Sequence, residues 1–169
     1  MAESTCLLAN SLKSHLFQSG IACAEPVGVA LAPLPDINAL TSRIIKAAIE
    51  VHRRLGPGLF ESVYLACLIY ELETTGLSYE TQKPLPVVYK EVSLECGFRP
   101  DLIVQQTVIV EVKSIAQVAA IHRAQLKTYL VLAKCPAGLL INFNVAILKD
   151  GITRVLNTSD FLRPSAPPC

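Results

Sequence analysis

Residues 98–114 read Phe98-Arg99-Pro100-Asp101-Leu102-Ile103-Val104, then Gln105-Gln106-Thr107, then Val108-Ile109-Val110-Glu111-Val112-Lys113-Ser114. Two apolar, β-branched runs flank a short polar link, which predicts a β-hairpin. Strand side chains alternate between faces, so Glu111 and Lys113 share one face while Val108, Val110 and Val112 share the other. With a three-residue loop, Val104 pairs with Val108 and Asp101 falls opposite Glu111; a two-residue loop shifts that pairing by one. Two carboxylates and an ammonium then crowd one end of an otherwise apolar sheet. Adjacent carboxylates repel, and their charge is costly away from water unless something compensates it. A hard divalent cation such as Mg²⁺, which takes oxygen ligands and keeps part of its water, would do so. The layout suits metal-dependent cleavage of phosphodiesters.

Pro100-Asp101 followed by Glu111-Val112-Lys113 resembles the PD-(D/E)XK nuclease superfamily. Upstream, Gly58-Leu59-Phe60-Glu61-Ser62-Val63-Tyr64 spells the motif of the GxxExxY protein family. Downstream, Gln125 and Tyr129 resemble the Gln-x-x-x-Tyr element that follows the catalytic strands in exonuclease-like branches of the superfamily. The resemblance runs from about Asp36 to about Leu156. It implies an α/β fold with a restriction-endonuclease-like αβββαβ core, a mixed central sheet flanked by helices. It also implies a Mg²⁺-dependent nuclease, with Mn²⁺ as a substitute metal. In that reading Asp101 and Glu111 hold the metal with the backbone carbonyl of Val112, and Glu61 is an extra ligand, direct or through water. Lys113 orients the attacking water and offsets charge building on the phosphate. Gln125 and Tyr129 position the substrate backbone or the lysine, and Tyr64 joins this positioning group by packing against or orienting Glu61.

Taken alone, Asp-x(9)-Glu-x-Lys is a weak pattern, since such residues on strands also form ion-pair networks. Glu61 taken alone is a good first-turn residue for a helix, and Tyr64 a core residue. The four motifs in one chain are what make the set specific.

The chain has 169 residues, 51% hydrophobic and 17% charged, which is more apolar than an average soluble domain. No run approaches the ~18 uninterrupted apolar residues of a membrane span. The longest candidate, Gly138 to Leu148, contains Asn142 and Asn144. The excess of Val, Leu and Ile therefore reads as a buried sheet. A formal net charge of +1 gives no global basic field, so any nucleic-acid contact must be local. Six cysteines have no zinc-type spacing, and with no clear secretory signal they read as reduced thiols in a cytoplasmic protein.

Residues 1–35, with Pro26, Pro33 and Pro35, read as a poorly ordered N-terminal extension. Residues 36–158 read as the nuclease-like domain and 159–169 as a loose, proline-bearing tail. Asp36 predicts an N-cap for a helix whose apolar residues are Leu40, Ile44, Ile45, Ala48 and Val51. Arg53 and Arg54 in its last turn suit either phosphate contact or the helix dipole. A second helix is expected from about Phe60 to Thr75. Ser78–Tyr89 and Glu91–Leu94 read as strands, the first demoted to an edge by Pro84 and Pro86. A helix is expected over about Val118 to Leu132, with His122 a surface or capping residue. A buried strand follows from Gly138 to Val145, then a hairpin turn at Lys149-Asp150-Gly151 and a return strand over Ile152–Leu156.

The partner this implies is nucleic acid, DNA ahead of RNA, with no membrane. The competing reading is a non-catalytic nucleic-acid- or protein-binding module that keeps the fold. The apolar composition also leaves room for a homodimer.

Overall fold

A computed structural model describes residues 36–157. The expectations for residues 1–35 and for the tail from residue 158 lie outside the described residues. Helix α1 (Ile37–Leu55) begins where Asp36 Oδ1 accepts from the Asn38 amide at 2.9 Å. Leu40, Ile44, Ala48 and Val51 are buried as the spacing predicts, while Ile45 packs at the margin. Arg53 and Arg54 both turn back to Glu50, at 2.8 and 2.6 Å, so this helix end spends its basic charge internally. Helix α2 (Glu61–Thr74) follows, with Phe60 at its N-cap.

The strands are β1 (Tyr79–Thr81), β2 (Leu85–Tyr89), β3 (Val92–Phe98), β4 (Leu102–Val104) and β5 (Val108–Lys113). Helix α3 (Ala120–Leu132), strand β6 (Ala137–Asn142), the helical turn α4 (Leu148–Gly151) and β7 (Ile152–Leu156) complete the order. Five strands form a mixed sheet in the order β1-β4-β5-β6-β7, and β2-β3 form a separate two-stranded sheet. Strand β5 pairs parallel with β6 across the α3 crossover; the other pairings are antiparallel. The second and fifth strands therefore run against the other three.

Alternation assigns the two faces. Val104, Val108, Val110, Val112, Leu139 and Ile141 pack with Leu40, Ile44, Tyr64 and Leu68 of α1 and α2. Ile103, Ile109 and Leu140 pack with Leu126, Tyr129 and Leu130 of α3. The result is a helix–sheet–helix sandwich. Close contact on the α3 side depends on Gly138, where an added Cβ would stand 2.9 Å from a Leu126 methyl.

Four expected boundaries differ. The strand expected from Gly138 to Val145 runs only from Ala137 to Asn142, whose side chain turns to bond the Ile115 backbone. Ser78–Tyr89 is two strands in two sheets, because the chain turns at Gln82 (φ 48°) and Pro84 and Pro86 cannot donate to a ladder. Phe98 ends β3 rather than opening β4, since Pro100 interrupts the run. Lys149-Asp150-Gly151 is the helical turn α4, not a hairpin turn. There Gly151 lies against the Asn142 carbonyl oxygen, a space a Cβ could not share. No helix among the described residues is long and apolar enough to cross a membrane.

Candidate active site

The β4–β5 hairpin takes the three-residue loop: Val104 pairs with Val108, Ile103 with Ile109 and Leu102 with Val110. One step further, Asp101 stands opposite Glu111. Strand β4 has ended there, and the Asp101 side chain takes the place of the missing ladder. Its Oδ2 accepts from the Val112 amide at 2.9 Å, and its Oδ1 accepts from the Gln82 side-chain amide at 3.0 Å.

Glu111 and Lys113 project from the same face of β5, toward α3. Lys113 Nζ donates to Glu111 Oε1 at 2.9 Å. Glu111 is only 5% exposed, and its second oxygen, Oε2, is buried without a hydrogen-bond partner. A buried acceptor left unpaired is uncommon and costs about 1–3 kcal/mol, more when charged. Burial pushes the Glu111 carboxyl above the usual glutamate range, and the charge of Asp101 adds to that against the pull of Lys113. Burial opposes the charge on Lys113, but Glu111, Glu61 and Asp101 outweigh it and hold the ammonium above its ordinary value. The lysine is therefore a fixed cation among three carboxylates.

Glu61 approaches from the other face of the sheet. Its Oε1 accepts from the Ser114 amide at 3.0 Å, and Ser114 Oγ donates to the Leu59 carbonyl at 2.6 Å. The first turn of α2 is thereby tied to the end of β5. Tyr64 packs inward. It is fully buried and stacks on Phe143 with ring centroids 4.4 Å apart. Its hydroxyl donates to the Gly56 carbonyl at 2.6 Å and accepts from the Leu59 amide at 3.1 Å, which fixes the loop leading into Glu61.

On α3, Gln125 Nε2 donates to the Tyr129 hydroxyl at 2.8 Å. Burial and the charge of Glu111 keep that phenol protonated beyond its ordinary range. His122 accepts from the Ala119 amide through Nδ1 at 3.1 Å, a capping role.

Three supporting residues escaped the sequence reading. Gln82 orients Asp101. Ser114 joins Glu61 to the end of β5. Asn142 holds the segment after Lys113, donating to the Ile115 carbonyl at 2.9 Å and accepting from its amide at 3.1 Å. Asn142 carried a signal, as a polar residue inside an apolar run; Gln82 carried none.

Among the described residues, no three His, Cys, Asp or Glu side chains stand close enough together to hold a cation. The donor set nonetheless suits a hard cation, because Glu111 offers a buried, unpaired oxygen beside the Asp101 charge.

Comparison with curated proteins gave no match, and neither did comparison with solved structures. A protein-family model described as the PD-(D/E)XK nuclease superfamily matches residues 38–155. That span takes in both strands of the acidic hairpin, both long helices of the first layer and α3. With this match and its mixed five-stranded sheet between helices, the chain belongs to the PD-(D/E)XK nuclease superfamily and has a restriction-endonuclease-like fold.

Proposed function

We propose that this protein is a divalent-metal-dependent nuclease of the GxxExxY family, with residues 36–158 as its catalytic domain. The observation that carries the reading is the buried, unpaired Oε2 of Glu111, a carboxylate whose other oxygen takes Lys113 and which feels the charge of Asp101. One oxygen of this carboxylate serves Lys113, and the other makes no hydrogen bond, which leaves it open to a ligand.

Asp101 and Glu111 would hold the cation, Mg²⁺ or in its place Mn²⁺. The Val112 carbonyl suits the same task, since in an extended strand it points to the side of its own amide, which faces Asp101. Glu61 adds negative charge from the first turn of α2. When bound, the cation lowers the pKa of its water and polarises the scissile phosphate. The residues do the rest. Lys113 is kept protonated by the carboxylates around it, so it donates hydrogen bonds to the nucleophile and to the charge growing on the phosphoryl oxygens. Tyr129 stays a neutral O–H donor, and because Gln125 already fills one acceptor position on its oxygen, its proton is free to meet a substrate oxygen. Gln82 and Ser114 keep Asp101 and Glu61 from turning away.

The substrate is nucleic acid, DNA ahead of RNA. The free thiols of Cys67 and Cys135 fit the reducing cytoplasm. The rival reading, a non-catalytic binding module with the same fold, draws on the absence of a three-residue acidic cluster among the described residues. The deciding experiment is cleavage of labelled single- and double-stranded DNA and RNA with Mg²⁺, Mn²⁺ or chelator. Metal-dependent cleavage that disappears in Lys113→Ala supports the nuclease. A folded protein that binds nucleic acid and cuts none, whatever the metal, supports the binding module.

A further inference from the structure

The loop before Glu61 holds the most exposed large apolar side chain among the described residues, Phe60 at 82%. It stands at the N-cap of α2, where a side-chain oxygen would normally bind a free amide, and it makes no such bond. A single exposed apolar residue needs no explanation. Phe60 is not single: Leu59 and Val63 beside it are exposed as well, so the lip is apolar over three residues. Nor is the lip loose. Tyr64 grips the Gly56 carbonyl and the Leu59 amide, Ser114 Oγ grips the Leu59 carbonyl, and Glu61 accepts from the Ser114 amide. Four hydrogen bonds thus fix the backbone on either side of Phe60, at Leu59 and at Glu61, and two of them tie it to Ser114, the residue after Lys113.

We infer that Phe60 is a stacking platform for an unpaired nucleobase, so that the substrate is a nucleic acid with a single-stranded or extruded nucleotide at the point of cleavage. This inference rests on the nuclease reading above and narrows its substrate class. Inside a duplex both faces of each base are occupied by neighbours, so a protruding ring meets a free face only where the strand is unpaired. Stacking also supplies affinity that does not depend on positive charge. That matters here because Lys113, the cation of the site, is itself paired with Glu111, and the net charge is only +1. The ring is also short of conformational freedom to lose, having two side-chain torsions on an anchored backbone.

The test measures binding by fluorescence anisotropy, with Ca²⁺ replacing Mg²⁺, on labelled single-stranded DNA and RNA and on a blunt duplex. Phe60→Ala is expected to weaken single-strand binding by about five- to a hundred-fold and to leave the duplex almost unchanged. Phe60→Trp is expected to keep the affinity. Because the chain contains no other tryptophan, its emission reports the site alone and should be quenched when a single strand binds. The side chain is exposed, so neither variant disturbs the core. Equal single-strand affinity for Phe60→Ala and the wild type, or unquenched emission at saturation, overturns the inference. If Mg²⁺-dependent cleavage is still lost in Lys113→Ala, the nuclease reading survives that failure. If no nucleic acid binds and none is cut, both fall together.

Discussion

Glu111→Gln separates a metal ligand from a structural ion-pair partner. The substitution keeps shape and volume and keeps an oxygen for Lys113 Nζ, now 2.9 Å from Oε1. It removes the charge that burial and Asp101 disfavour. The amide nitrogen then stands where Oε2 stood and is as unpaired as that oxygen, so the gain comes only from removing a desolvated charge, about 1–3 kcal/mol, and the weakened bond to Lys113 gives part of that back. A net gain of about 1–2 kcal/mol is expected in chelator, which for a domain of this size raises Tm by about 3–6 °C. The pH dependence has a definite sign. A carboxyl whose folded-state pKa is raised contributes stability below its ordinary pKa, and that stability is lost as pH climbs through the folded-state value. Wild type minus variant should therefore decline over that window. Adding Mg²⁺ at about a hundred times its Kd should stabilise the wild type by about 2.7 kcal/mol and leave the variant unmoved. Thermal melts by circular dichroism, with and without cation across pH, read all three. A variant less stable than the wild type in chelator, together with a wild type indifferent to Mg²⁺ and Mn²⁺, would refute the reasoning and make Glu111 simply the partner of Lys113.

Lys113→Ala and Asp101→Ala should each abolish metal-dependent cleavage while the far-ultraviolet circular dichroism stays that of the wild type; a variant that cuts normally would displace that residue from the site. Tyr64→Phe keeps the stack on Phe143 but loses the bonds to Gly56 and Leu59, so urea unfolding should show a loss of about 1–3 kcal/mol. Gly151→Ala forces a methyl into the Asn142 carbonyl, and denaturation should report a loss of about 1–3 kcal/mol from overpacking.

What could be read without the structure was local. The β-branched apolar runs at Leu102–Val104 and Val108–Val112 announced strands, and the helical spacing of Leu40, Ile44, Ala48 and Val51 announced α1, because these patterns arise from backbone geometry within a few residues. Asp36 announced its cap for the same reason. The loop between β4 and β5 was less legible. Gln105 and Gln106 both adopt positive φ, at 51° and 53°, and glutamine does not advertise that conformation as Gly or Asn would. Loop length, and with it the placing of Asp101 against Glu111, stayed open until the register was known. The strand break at Gln82 was no plainer, since its positive φ of 48° falls on another glutamine.

Sequence by itself determined the fold class and the residues worth suspecting, Asp101, Glu111, Lys113, Glu61, Gln125 and Tyr129, since side-chain chemistry and spacing travel with the chain. Only the tertiary structure decided what each one touches. Glu61 and Ser114 lie 53 positions apart, and Gln82 and Asp101 lie 19 apart. Tyr64 turned inward and Phe60 outward for a reason no local pattern contains. The packing of α2 on the sheet gives one ring a partner in Phe143 and leaves the other facing solvent.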